Sequence, residues 1–153
     1  MLRFDKVWLI CFVFPLCFDR VTKYIVASGI VQDQDITSFL EVYMTFNRGI
    51  SWGIASSENF VVFFMVSLVV ALMIAFFTWY VVKYVTRFYT KCASLLILSG
   101  ALSNFFDRLW YGGVVDFIRF HWSGLSFPVF NFADVFISLG VAVLLYLHLI
   151  DEA

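Results

Sequence analysis

Charge is scarce in this chain. Of its 153 residues only 14% are Asp, Glu, Lys or Arg, against about 25% in a soluble domain. The net charge is −1, so a nucleic-acid partner has no electrostatic support. Cysteines are few and odd in number: Cys11, Cys17 and Cys92. With no CxxC spacing, they exclude a disulfide framework and a metal knuckle and read as small apolar side chains. The two histidines, His121 and His148, form no H-E-x-x-H, which argues against a zinc peptidase. No G-x-S-x-G elbow is present for a serine hydrolase. What the chain does have is apolar mass, 63% of all residues. A chain this short cannot hide that much in one core, so its surface must face lipid.

Spanning helices need about 20 mostly apolar residues. Four segments qualify as expectations: 7–31, 60–82, 92–111 and 131–150. The second carries no charge, whereas the first is interrupted by Asp19, Arg20 and Lys23, and the third ends on Asp107 and Arg108. No linker or long repeat separates them, so residues 1–153 read as one domain. The first segment is also weighed as a cleaved signal peptide, but no A-x-A site follows it. Basic residues set the orientation. Arg3 and Lys6 precede the first span, and Lys83, Arg87 and Lys91 join the second to the third. Both termini are therefore expected in the cytoplasm, with loops 32–59 and 112–130 outside.

That orientation turns the sequence into a depth map. Asp19 lies roughly 18 Å along the first span, in the outer half, at about 1.5 Å per residue. Asn104, Asp107 and Arg108 fall at the outer end of the third span, and Asn131 and Asp134 at the outer end of the fourth. Asp116 sits in the outer loop between them. Ionisable groups inside a membrane are rare and mark function, and these share one level. The 60–82 span offers no ionisable group, so a transporter subunit with stations across the bilayer is disfavoured.

Chemistry narrows further. A Ser/Lys pair of Lys23 with Ser99 or Ser103 is weakened by Asp19, one helical turn before the lysine, which keeps it protonated. What remains is the carboxylate pair Asp116 and Asp134. Two close carboxylates cannot both ionise at neutral pH. The ionised one can activate water against a carbonyl while the protonated one binds and later protonates the substrate. The dipole of the fourth helix favours a charged Asp134, but which acid holds the proton stays open. So does a bland alternative, in which Asn131 and Asp134 merely cap and charge a helix start. Asp107 with Arg108, and Asp19 with Lys23, also stand as ordinary ion pairs.

Four blocks, "DRVTK" (Asp19 to Lys23), "FNRGISWG" (Phe46 to Gly53), "GALSNFFDRLWYGGVVDF" (Gly100 to Phe117) and "FPVFNFAD" (Phe127 to Asp134), together resemble the lipoprotein signal peptidases, signal peptidase II of bacteria. The resemblance implies an all-α membrane fold of four transmembrane helices with a small extracytoplasmic β-cradle at about 36–54. It implies an aspartyl endopeptidase of the inner membrane, active at the outer face and without a cofactor or metal. Such an enzyme cuts the signal peptide from a diacylglyceryl-modified prolipoprotein just before the lipidated cysteine, so its partners are those precursors and membrane lipids. The catalytic pair maps onto Asp116 and Asp134, and supporting or substrate-binding roles onto Asp19, Lys23, Asn47, Gly49, Asn104, Asp107, Arg108 and Asn131. Independently, "ITSFLEVYMTF" has strand composition. Ser99 and Ser103 replace glycines common in the family, and Ser51-Trp52 replaces Ala-Phe; these affect packing and pocket shape. A non-enzymatic lipid-binding or lipoprotein-assembly protein remains the alternative.

Overall fold

A computed structural model describes residues 2–31, 33–49 and 60–151. The element order is α1 (Leu2–Ala27), β1 (Gln34–Asp35), β2 (Leu40–Asn47), α2 (Phe60–Tyr84), α3 (Phe88–Tyr111), β3 (Val114–Trp122), β4 (Leu125–Ser126) and α4 (Phe132–Asp151). The four helices hold 26, 25, 24 and 20 residues. Among the described residues, two helices are long and apolar enough to cross a membrane by length and composition, Phe60–Tyr84 and Phe132–Ile150. Helices α1 and α3 match the expected segments in place, but their charged residues separate them from the other two. Along α2, Phe64, Leu68, Leu72 and Phe76 are exposed. Such a row of large apolar side chains suits a hydrocarbon solvent.

The chain divides into two compact units. The first comprises Met1–Asp19, Ala71–Ser103 and Phe132–Ala153. Its apolar core gathers Val81, Val85 and Leu98, with Phe12, Ile74, Phe77 and Leu95 against them. Helices α3 and α4 approach closely within it. A Cβ added at Gly140 would lie 2.6 Å from Ile97 Cγ1 and 2.7 Å from the Ala93 carbonyl oxygen, and one at Gly100 would overlap the Ala133 carbonyl. Small residues at such crossings let helix backbones pack where lipid supplies no hydrophobic drive. Phe18 of α1 packs edge-on against Phe132 and Phe136 of α4.

The second unit comprises Arg20–Val70 and Asn104–Asn131 and carries an antiparallel sheet in the order β1-β2-β3-β4. Residues 40–47 form a strand within the expected cradle of 36–54, whereas 36–39 and 48–49 are not strand and 50–54 lies outside the described residues. The sheet is larger than expected, because 114–122, read as loop, forms its longest strand. The stretch VVDFIRFHW is rich in β-branched and aromatic residues, which suit a pleated, half-buried surface. Gly112, at φ 66°, ends α3 in the left-handed conformation that glycine adopts without strain. That stop turns the chain into β3 four residues before Asp116.

Candidate active site

Strand β3 presents Asp116 through a bulge in its neighbour. Leu40 pairs with Phe120 and Val42 with Ile118, but the register then shifts, so that Thr45 pairs with Asp116 and Asn47 with Val114. Paired residues point to the same face of a sheet. The extra residue between Val42 and Thr45 therefore changes parity and turns odd-numbered Thr45 and Asn47 to the face of Asp116. Bulges commonly re-aim side chains in this way. Asn47 Nδ2 then donates to Asp116 Oδ2 at 3.0 Å.

The other carboxylate oxygen is held from the far end of the same unit. Asn131 Nδ2 donates to Asp116 Oδ1 at 2.6 Å, to the Val115 carbonyl at 3.3 Å and to Asn104 Oδ1 at 3.1 Å. Asn104 Oδ1 also accepts from Lys23 Nζ at 2.6 Å. Lys23 Nζ lies 2.8 Å from Asp107 Oδ2, with both side chains fully buried. Asp107 Oδ1 accepts from Arg20 Nη1, and its Oδ2 from the Val115 backbone N–H. On the other side, the Gly49 N–H donates to Asn47 Oδ1 at 3.0 Å, and the Gly49 carbonyl accepts from Arg108 Nη2 at 2.5 Å. The Arg108 guanidinium lies 5.9 Å from the centre of the Phe63 ring.

One connected network thus joins Lys23, Asn47, Gly49, Asn104, Asp107, Arg108, Asp116 and Asn131, all nominated from sequence. Asp116 is 2% exposed, and both its oxygens accept hydrogen bonds, as a buried carboxylate requires. Asp107 is more than the surface partner of Arg108 that the sequence allowed: two cations and a backbone N–H converge on it.

The remaining two nominated residues belong to the first unit. Asp134 is half-buried in the first turn of α4. Asp19 is fully buried; its Oδ1 accepts the Ala133 backbone N–H at 2.7 Å and its Oδ2 the Ser103 hydroxyl at 2.6 Å. Asp19 of α1 therefore caps the start of α4, meeting a backbone donor that every helix start leaves open. The Ser103 hydroxyl is spent on this carboxylate, and the Ser99 hydroxyl donates to the Leu96 carbonyl at 2.7 Å. Neither serine is set up as a nucleophile.

Two features escaped the sequence reading. On the face of the sheet opposite Asp116, Asp35, Glu41 and His121 bring one ligand atom each within 4.8 Å of one another. Spacing along the chain cannot show this, because register across three strands makes it. Arg119 Nε and Nη2 both donate to Glu41 Oε2, at 2.8 and 2.5 Å, and this guanidinium already neutralises the carboxylate a cation would need. The second feature is a cavity of about 390 Å³ lined by Val26, Ala27, Gly29, Val31, Asp33 and Met44.

Residues 11–150 match the family model described as signal peptidase (SPase) II. The chain belongs to the signal peptidase II family. Lipoprotein signal peptidases of Staphylococcus aureus, strains JH9 and Newman among them, are each 34% identical to it over 144 residues, covering 92% of this chain and 86% of theirs. A solved bacterial membrane enzyme, determined in meso at 2.3 Å resolution, superposes with a TM-score of 0.79 at 32% identity, covering 97% of this chain and 90% of that one. A second, at 1.9 Å resolution, gives 0.77 at 31% identity, covering 94% and 93%. Family membership makes this chain a membrane peptidase of the aspartic class.

Proposed function

We propose that this signal peptidase II family member cleaves the signal peptide from diacylglyceryl-modified prolipoproteins, just before the lipidated cysteine, using Asp116 and Asp134 as its catalytic pair. The observation that carries the reading is the mooring of Asp116. The amide that holds its Oδ1 belongs to Asn131, only three residues before Asp134 in the chain. A few residues of backbone limit how far the two acids can separate.

In this reading the ionised acid takes a proton from water as the water oxygen attacks the scissile carbonyl carbon. The protonated acid hydrogen-bonds the carbonyl oxygen and stabilises the charge that develops there. Collapse of the tetrahedral intermediate breaks the C–N bond. The leaving nitrogen takes up a proton, and the pair returns to one shared proton with one water consumed. Asn47, Asn104, Asn131 and Arg108 support the acids and the extended substrate.

The proposal includes four spanning helices with both termini cytoplasmic, supported by the cationic 83–91 segment and the acidic 33–58 segment under the positive-inside rule. The sheet and the acids then lie at the outer face of the cytoplasmic membrane of a bacterium, where a lipid-anchored substrate presents the bond next to its anchor.

The test is cleavage of a lipidated precursor in detergent by Asp116→Asn and Asp134→Asn. Each variant should lose at least about 10³-fold in kcat, the scale seen when a catalytic unit loses a member. A chelator should leave the wild-type rate unchanged. Binding of precursor without turnover by the wild-type protein would instead favour the lipid-binding alternative.

A further inference from the structure

We infer that Asp116 is the ionised member of the pair in the resting enzyme, set so by Lys23 and Gly49, and that Asp134 carries the shared proton. This rests on the catalytic pair proposed above and assigns its two roles.

Donor-only groups fix the direction of the bonds that Asn131 and Asn47 make to Asp116. An ammonium has three donors and no acceptor, so Asn104 must turn its oxygen toward Lys23 Nζ, at 2.6 Å. That oxygen also receives Asn131 Nδ2 at 3.1 Å. The Asn131 nitrogen, and not its oxygen, is therefore the atom 2.6 Å from Asp116 Oδ1. On the other side the Gly49 N–H can only donate, and it takes Asn47 Oδ1 at 3.0 Å. The Asn47 nitrogen is then left for Asp116 Oδ2, at 3.0 Å. Neither amide can flip without setting donor against donor or acceptor against acceptor. Both oxygens of Asp116 are thus met by N–H groups. Hydrogen bonds donated to a carboxylate favour its charged form, whereas a protonated Asp116 would offer one of these donors only a neutral hydroxyl oxygen.

The start of α4 carries the complementary observation. Its dipole would favour an ionised Asp134, but an anion is already placed there. Asp19 accepts the Ala133 N–H at 2.7 Å, one residue before Asp134. With Asp116 ionised, a further negative charge in the pair is disfavoured, so Asp134 is the member that keeps the proton. Asp116 accordingly acts as the general base toward water, and Asp134 supplies the hydrogen bond and then the proton to the substrate. Lys23 acts as a positioning residue, through Asn104 and Asn131.

The test reads the carbon-13 signals of side-chain carboxyls in the full-length protein, labelled at aspartate, in detergent at neutral pH without substrate. Asp116→Asn and Asp134→Asn assign the two signals by their loss. Asp134 should resonate where protonated acids do, and Asp116 where carboxylates do. The reversed positions, two carboxylate positions, or two signals averaged to one intermediate position would each overturn the assignment. Asn47→Ala, the gentler variant, should move the Asp116 signal toward the acid position and lower kcat roughly 10- to 100-fold. Lys23→Met should move it the same way and Lys23→Arg should restore it, a pattern that loss of packing alone would not produce. Thermal unfolding supplies a second measure. Asp116→Asn sets an amide NH₂ against one of the two donors and should lower Tm by roughly 5 °C, while Asp134→Asn keeps a donor and should not. Equal losses would count against the inference. If both Asn variants still cleave precursor, the catalytic pair itself is wrong; if both are inactive with the signals reversed, only the division of roles fails.

Discussion

Strand β3 has two halves that face different physics. Val114–Phe117 is buried, while Arg119–Trp122 is half-buried to exposed. Each half carries an acidic group in a hydrogen-bonded cluster: Asp116 on the strand itself, and Glu41 on β2 across from Arg119. In the buried half Asp116 is met by the amides of Asn47 and Asn131, and behind Asn131 stands Asn104 on the buried Lys23–Asp107 pair. In the exposed half Arg119 takes Glu41 and lies 4.0 Å over the Tyr43 ring, with His121 Nε2 3.4 Å from Asp35 Oδ1. The same residue types therefore do different things. Buried, they fix protonation and direction; exposed, they gain little beyond local order, because water screens them. A carboxylate becomes chemically useful when its surroundings leave it few alternatives.

The largest break in this comparison is Asp116→Asn, with its loss of at least about 10³-fold in kcat. Next comes Asp107, which serves the buried half without touching Asp116. Asp107→Ala takes one carboxylate from buried Lys23 and frees the Val115 N–H. Removing one partner of a buried pair costs about 3–5 kcal/mol, so the expected outcome is a fall in Tm of roughly 10 °C or more, read by thermal unfolding in detergent.

The chemistry was more legible in the sequence than the architecture that positions it. Asn47, Asn104, Asp107, Asp116 and Asn131 stood out because polar groups are expensive in a chain this apolar. The helices could be placed within a few residues, since long apolar runs have few other solutions in lipid. Strand β3 was read as loop because its longest pairing is with β2, more than 60 residues earlier in the chain. Asn131 could be read as a helix cap from its neighbours, yet its nitrogen serves Asp116. The carboxylate on the α4 N–H comes from Asp19, 114 residues away. Local pattern shows that a helix start needs an acceptor and cannot say which distant segment brings it.

The bulge in β2 sharpens the comparison, because it is the device that gives Asp116 one of its two amides. Deleting Met44 removes one residue between Val42 and Thr45. If the outer pairing of Leu40 with Phe120 is kept, the parity of the strand reverts and Asn47 turns away from Asp116. The expected result matches Asn47→Ala, a fall in kcat of roughly 10- to 100-fold with Asp116 still present. Activity close to wild type would show that the register beyond the bulge re-forms, and that the Asn47 contact does not depend on it.

The smallest effect belongs to the exposed half. Glu41→Gln removes the charge that Arg119 pairs with, where the two side chains are 17% and 30% exposed. Exposed pairs contribute about 0–1 kcal/mol and are screened by salt, and Arg119 keeps its stacking on Tyr43. The expected change in Tm is therefore at most roughly 3 °C, shrinking further between low and high salt, with kcat unchanged. A fall in kcat without a fall in Tm would mean that the outer end of the strand helps align the buried end. The two halves of β3 would then form one mechanical unit, and the division drawn here between chemical and surface charge would have to move outward along the strand.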